Sequence, residues 1–263
     1  MTLAGKVTLV TGGGQGIGQA IALGFSKKGT KVVVTDINLA GISDTCAKIK
    51  SKGGDCLGIK ADVSISNEVK AMMDQTVEHY GTLDILVNNA GIVRPGHIES
   101  ISEEDWDAVV NVNLKGTFLC SKFAAQIMIP NRRGSIINIG SIAGHEGNPD
   151  GGAYTATKAA IIALTKQCAI DWGRYHIRVN SISPGLIWTS INPYYQDSKI
   201  RQARQEMVPL GRLGTPDDIA SVAVLLASDE TEYVTGCDLR VDGGFLGNLI
   251  QLLPGRPSPQ KSS

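Results

Sequence analysis

The sequence predicts an α/β fold, a largely parallel sheet covered by helices on both faces. Short β-branched runs recur with helical stretches between them, which is the rhythm of strands joined by crossover helices. Glycine is abundant, 31 of 263 residues, without a collagen period, and that points to tight turns and close backbone approaches. No composition break or flexible linker divides residues 1–245. With 42% hydrophobic residues, a chain of this length buries roughly 70–75% of its unfolded surface and needs no disulfide staples.

The first run is KVTLVT at 6–11, followed by a helix whose Ile17, Ala20, Ile21 and Phe25 face the sheet. KVVVTD at 31–36 is the next strand, and a third ends at Asp62-Val63. After Asp62, the spacing of Val69, Met72, Val77 and Tyr80 fits another helix. LDILVNN at 83–89 precedes a helix carrying Trp106, Val109 and Val110. The charges of Glu103, Glu104 and Asp105 suit the start of that helix; catalysis is their alternative use. GSIINIG at 134–140 and IRVNSIS at 177–183 flank GAYTATKAAIIALTKQCAID at 152–171, read as one long helix. Its apolar surface implies cover by another element or another subunit. Residues 186–211 mix aromatic and charged side chains and read as a substrate-covering loop with a short helix. One domain over 1–250 results, with Leu246, Leu249 and Ile250 packing near its end and a turn-rich tail over 251–263.

Twenty-five basic residues balance twenty-five acidic ones, so no global field argues for nucleic acid or an anionic membrane. The five cysteines (46, 56, 120, 168, 237) are odd in number and never spaced C-x-x-C, which fits neither a disulfide framework nor a zinc knuckle. Cys120 and Cys168 read as small buried apolar side chains, with a nucleophile as the alternative. The start, MTLAGKVTLVTGG, has neither a secretion signal nor a membrane span, and the expectation is a soluble, cytoplasmic protein.

Gly12-Gly13-Gly14-Gln15-Gly16-Ile17-Gly18 follows an apolar strand and opens a periodic helix. Its backbone N–H groups are placed to meet a pyrophosphate at the positive helix end. Close helix–sheet packing is the alternative reading, and Gly18 serves it in either case. The run lacks the Lys-Ser/Thr ending of an NTPase loop, so ATP chemistry fits poorly. Asp36, eighteen residues beyond Gly18, is placed to accept both adenosine-ribose hydroxyl hydrogens and to repel a 2′-phosphate. With no Arg or Lys at position 15 or 37, the predicted cofactor is NAD rather than NADP; a satisfied turn is Asp36's alternative role. Asp62 and Val63 are candidates for the adenine end, and Asn89-Ala90-Gly91 for a close pass of the chain along the cofactor.

Tyr154 and Lys158, four apart on the long helix, project from one face with about 5–6 Å between Cβ atoms. Bringing a phenol from about 10 to near 7 needs about 4 kcal/mol of phenolate stabilisation, part of which a nearby ammonium supplies. Such a phenol serves as acid or base toward an alcohol. Ser141 follows a strand and is placed to hydrogen-bond a substrate oxygen. Without a G-x-S-x-G context it does not read as a hydrolase nucleophile. Asn113 is a candidate for holding a water near Lys158, or for a local helix-distorting hydrogen bond.

Taken in order, Thr11 through Gly18, Asn88-Asn89-Ala90-Gly91, Asn113, Ser141, the Tyr154–Lys158 pair and Pro184-Gly185 resemble the motifs of the classical short-chain dehydrogenase/reductase family, over roughly residues 4–245. The resemblance implies a doubly wound, Rossmann-like domain with a seven-stranded parallel sheet, commonly assembled as a homotetramer through the helices after Asn88 and around Tyr154. It implies Tyr154 as catalytic acid/base, Lys158 on the nicotinamide ribose, Ser141 positioning the substrate oxygen and Asn113 supporting a water relay. Thr189 takes the cofactor-loop threonine role, and the Ile187 backbone approaches the carboxamide. The implied reaction is metal-free hydride exchange between NAD(H) and a secondary alcohol or ketone.

Substrate-pocket candidates are Arg94, His97, His145, Glu146, Asn148, Trp188, Ile191, Tyr194 and Tyr195, each with a structural alternative. The stretch Ala143-Gly144-His145-Glu146-Gly147-Asn148-Pro149 is similar to that of acetoin/diacetyl reductases and butanediol dehydrogenases, although Ile142 stands where glutamine is expected. That resemblance implies a small diol, hydroxyketone or polyol as substrate. Hydroxysteroid or cyclic-alcohol oxidoreduction, and a non-catalytic NAD(H)-responsive interaction protein, are the alternatives.

Overall fold

The structure is a computed structural model and describes residues 3–189 and 196–248. Its centre is a seven-stranded sheet in which each neighbouring pair is parallel. The strands are β1 (Val7–Thr11), β2 (Lys31–Asp36), β3 (Cys56–Lys60), β4 (Ile85–Asn88), β5 (Gly134–Ile139), β6 (Ile177–Pro184) and β7 (Asp238–Val241), in the order β3-β2-β1-β4-β5-β6-β7. The order reverses between β1 and β4, and in sheets of this kind the crevice at such a reversal receives the ligand.

Helices α1 (Gly16–Ser26), α2 (Leu39–Lys50) and α8 (Pro216–Ala227) cover one face; α3 (Ser66–Tyr80), α5 (Gly116–Asn131) and α6 (Gly152–Trp172) cover the other. Short helices α4 (Glu103–Val109) and α7 (Ser198–Glu206) complete the set. Alternate residues of the central strands feed opposite cores, Ile85 and Val87 one side and Leu86 the other, and this is why those strands read as unbroken apolar runs. On α1, Ala20, Ile21 and Phe25 are buried and Ile17 packs beside them. On α3 the buried stripe runs Val69, Met72, Met73 and Thr76; Val77 and Tyr80 are only half-buried, and the Tyr80 hydroxyl donates to Asp55 at 2.9 Å.

The helix expected to carry Asn113 is not regular. Between α4 and α5 the backbone opens into one stretch of π-helix, Val110–Lys115. Within the 186–211 segment, Trp188 N donates to Gly214 O and Gly214 N to Leu186 O, and α7 buries none of its side chains. Ile191, Tyr194, Tyr195, Leu249, Ile250 and the tail lie outside the described residues. Among the described residues, no helix is long and apolar enough to cross a membrane.

Candidate active site

The candidate site lies along the C-terminal ends of β1, β2, β4, β5 and β6. After β1 the chain turns through Gly12 and Gly16 at φ of 61° and 55°, a region that favours glycine. A Cβ on Gly18 would fall on the Gly12 carbonyl oxygen, and one on Gly12 would stand 2.9 Å from Ala90 Cα. The turn is held from outside. Thr11 Oγ1 accepts from Asn89 N and Ala90 N at 3.0 and 3.1 Å, and Asn89 Nδ2 donates to Thr11 O and Gly12 O, both at 3.0 Å. Asn89 therefore spends its amide on shaping the turn. Gln15 caps α1 in extended conformation, and the first α1 N–H groups, at Gly16 and Ile17, follow it at the positive helix end.

Asp36 closes β2 with its carboxylate fixed by two backbone donors, Gly14 N at 3.1 Å and Asn38 N at 3.0 Å. Ile37 beside it is 63% exposed. A glycine turn without room for side chains, a helix N-terminus and an anchored carboxylate fit the phosphates and one ribose of a dinucleotide. Asp62 uses Oδ1 to accept from Ser64 N and Ser64 Oγ, and Val63 is buried against Gly116 at the head of α5. Gly91 passes near Asn113, where a Cβ would stand 3.2 Å from Oδ1. At the far side, Pro184 ends β6, Gly185 N donates to Val241 O, and Asp242 leaves no room for a side chain at Gly185. Ile187 is buried, Thr189 half-buried and Trp188 43% exposed.

Ser141, Tyr154 and Lys158 converge. Ser141 leaves β5 in extended conformation, its Oγ accepting from Ala143 N at 3.1 Å and sharing a hydrogen bond with the Tyr154 hydroxyl. The buried Lys158 places Nζ 5.5 Å from the Tyr154 ring centre and donates to Ile139 O at 2.7 Å. Burial pushes the Lys158 ammonium down to about 8. Burial also raises the Tyr154 phenol, with the Ser141 hydrogen bond opposing the rise. The protein's own groups thus do not lower Tyr154 in the way the spacing alone predicts, because desolvation of the phenolate outweighs them.

Asn113 is fully buried in the π-helical stretch. Its Oδ1 accepts from Ile92 N at 2.8 Å, and its Nδ2 donates to Ile92 O and Thr157 Oγ1. Both amide hydrogens therefore tie the chain after β4 to α6. The expected pocket residues are more scattered. His145 Nε2 lies 2.8 Å from Asp238 Oδ2 and 3.3 Å from Ser183 Oγ, so the imidazole is anchored to β6 and β7. Asn148 and Glu146 are exposed; His97 pairs with Asp150 at 3.0 Å and Arg94 with Asp105 at 3.6 Å. Cys120 and Cys168 are buried, with thiols pushed up by burial to about 12 and about 11. Sequence reading missed Thr45 of α2, fully buried, whose Oγ1 donates to Gly13 O at 3.0 Å. No local pattern marks a contact made across 32 positions.

The family model described as enoyl-(acyl carrier protein) reductase matches residues 12–246. A 3-oxoacyl-(acyl-carrier-protein) reductase of Thermotoga maritima is 39% identical over 246 residues, 94% of this chain and 100% of the relative. One of Staphylococcus aureus is 40% identical over 244 residues, 91% of this chain and 98% of the relative. The solved structure of levodione reductase superposes with a TM-score of 0.87 at 32% identity, covering 92% of this chain and 97% of that one. Matches of this extent join the ordered motifs, the sheet order and the convergence of Ser141, Tyr154 and Lys158, and the chain belongs to the classical short-chain dehydrogenase/reductase family of oxidoreductases.

Proposed function

We propose that the protein is an NAD(H)-dependent oxidoreductase interconverting a secondary alcohol and its ketone. The observation that carries the cofactor choice is Asp36, whose carboxylate, held by Gly14 N and Asn38 N at the end of β2, would accept the adenosine-ribose hydroxyls and repel a 2′-phosphate, with Gln15 and Ile37 offering no cation. The turn Gly12–Gly18 would hold the pyrophosphate, Asp62 and Val63 the adenine end, Ala90 and Gly91 the middle, and Lys158, Ile187 and Thr189 the nicotinamide half. When bound, the nicotinamide gives or takes the hydride. The Tyr154 hydroxyl passes its proton to the carbonyl oxygen in reduction and recovers it in oxidation, while Ser141 donates a hydrogen bond to the same oxygen. Asn113 fixes the Ile92 backbone against α6, and Thr157, which it also holds, donates to Tyr154 O at 2.8 Å.

A small diol, hydroxyketone or polyol is the proposed substrate, on the likeness of residues 143–149 to enzymes of that class. The similarity to 3-oxoacyl-(acyl-carrier-protein) reductases favours a second reading, a 3-oxoacyl thioester. Homotetramer assembly through α5 and α6 is proposed as well, since Phe118, Ala156, Ala159, Ala163 and Ile170 leave apolar surface on their outer sides. Initial rates of NADH and NADPH oxidation against diketones, hydroxyketones, ketosugars, cyclic ketones, ketosteroids and 3-oxoacyl thioesters test the reading. Selective NADH turnover is expected, and a clear NADPH preference would overturn the role given to Asp36.

A further inference from the structure

Cys46 of α2 and Cys56 of β3 face each other with sulfurs 2.8 Å apart. Cys56 is buried and donates its hydrogen to Cys46, which is half-buried at the outer edge of the same seam. That hydrogen bond, with Lys50 assisting, holds the Cys46 thiol below its ordinary pKa, while the same contact and burial raise Cys56. One sulfur is thus suited to attack and its neighbour to resolve. The other three cysteines differ: Cys120 and Cys168 are buried on the opposite face of the sheet, and Cys237 is exposed beside β7.

The pair sits where it reaches the cofactor turn. Thr45, next to Cys46, donates to Gly13 O at 3.0 Å and accepts from Gln19 Nε2 at 2.8 Å. Gly41, one turn earlier, lies so close to the turn that a Cβ there would stand 2.8 Å from Gly14 O. Helix α2 is therefore a brace for Gly13 and Gly14, and the thiol pair joins that brace to β3.

We propose that Cys46 and Cys56 form a reversible disulfide modification site whose closure resets the grip of α2 on the glycine turn and so changes affinity for the nicotinamide cofactor. A hydroperoxide is the oxidant. The Cys46 thiolate attacks one peroxide oxygen; the S–O bond forms, the O–O bond breaks, and the leaving hydroxide or alkoxide takes a proton. Cys56 sulfur then attacks Cys46 sulfur; the S–S bond forms, the S–O bond breaks, and hydroxide leaves as water with the Cys56 proton. Two electrons pass from the thiols to the peroxide, and a dithiol reductant reverses the change.

The proposal rests on the family's nicotinamide cofactor and not on the choice of NAD. The test treats the full chain with hydrogen peroxide, maps disulfide-linked peptides by mass spectrometry, and titrates NADH and NADPH by fluorescence before and after dithiothreitol. A reversible loss of about 2 Da, a Cys46–Cys56 linked peptide and at least a threefold change in the Kd of whichever cofactor binds are expected. Cys46→Ser and Cys56→Ser should both keep the reduced-form Kd after peroxide. A link between other cysteines, oxygen adducts without a link, or a Cys46–Cys56 bond that leaves Kd unchanged would each overturn it. An NADPH preference would sink the reading of Asp36 while leaving this result standing.

Discussion

Lys158 Nζ donates to the carbonyl oxygen of Ile139 at 2.7 Å, so the ammonium beneath Tyr154 is oriented by the same strand that delivers Ser141 two residues later. β5 thus sets two of the three converging side chains, and α6 carries Tyr154 and Lys158 one turn apart. A small tilt between these elements changes all three distances together.

Burial of Lys158 gives a pH signature in the protein alone. Its folded value of about 8 lies below the ordinary 10.5, so between those limits the unfolded chain holds a proton that the folded chain lacks. Stability therefore rises with pH across that window, and below 8 the folded protein carries the cost of the buried charge. Relative to Lys158→Met, wild-type unfolding free energy from urea titrations should climb by up to about 3 kcal/mol between pH 8 and 10.5. Parallel curves for the two proteins would show that Lys158 does not titrate there.

Tyr154→Phe removes the hydroxyl shared with Ser141 and keeps the ring near Lys158. Turnover should fall by roughly 10³-fold with NADH binding retained. Undiminished turnover would remove Tyr154 from the chemistry, and NADH binding with no wild-type turnover on any carbonyl would favour the binding-only alternative.

Asp36→Ala should raise the NADH Kd by roughly 10-fold to 100-fold, the range for lost hydrogen bonds to a charged acceptor. NADPH binding should weaken less or improve, because the repelling carboxylate is gone. Equal losses for both cofactors in equilibrium titrations would reduce Asp36 to a turn residue serving Gly14 and Asn38.

The buried carboxylate of Asp238 accepts from Ser181 Oγ and Ser183 Oγ and meets His145 Nε2 at 2.8 Å. His145→Ala should cost about 0.5–1.5 kcal/mol in urea unfolding, the net worth of one hydrogen bond, because Ser181 and Ser183 still donate to the carboxylate. The residues between Ser141 and Tyr154 lose an anchor as well, so KM for the ketone should rise more than the NADH Kd. A variant as stable as wild type would mean that the contact contributes nothing in solution.

The central strands were legible because each is buried on both faces and reads as an apolar run of the right length. β7 was not read from its residues, since Asp238-Leu239-Arg240-Val241 is a four-residue edge strand that mixes charge with apolar side chains. The turn Gly12–Gly18 and the Tyr154–Lys158 pair were readable because local spacing defines them. The attachments of Thr45 to Gly13 and of His145 to Asp238 were not, for they join residues 32 and 93 positions apart. The irregular backbone around Asn113 was not legible, because a π stretch of six residues between two α-helices has no local motif of its own.

That widened stretch at Val110–Lys115 also determines which changes in chain length the protein tolerates. A π turn accommodates one residue more than the α turn it replaces, so deleting a single position there would let the helix tighten. The flanking helices α4 and α5 would keep their faces, because the widened turn absorbs the lost residue, and the change would fall on the turn itself. Asn113 would swing away from Ile92 and Thr157 although no side chain in the site had been exchanged. Insertions and deletions should accumulate around the exposed helix Ser198–Glu206, whereas the Val110–Lys115 segment should accept substitutions on its outer side and no change in its number of residues.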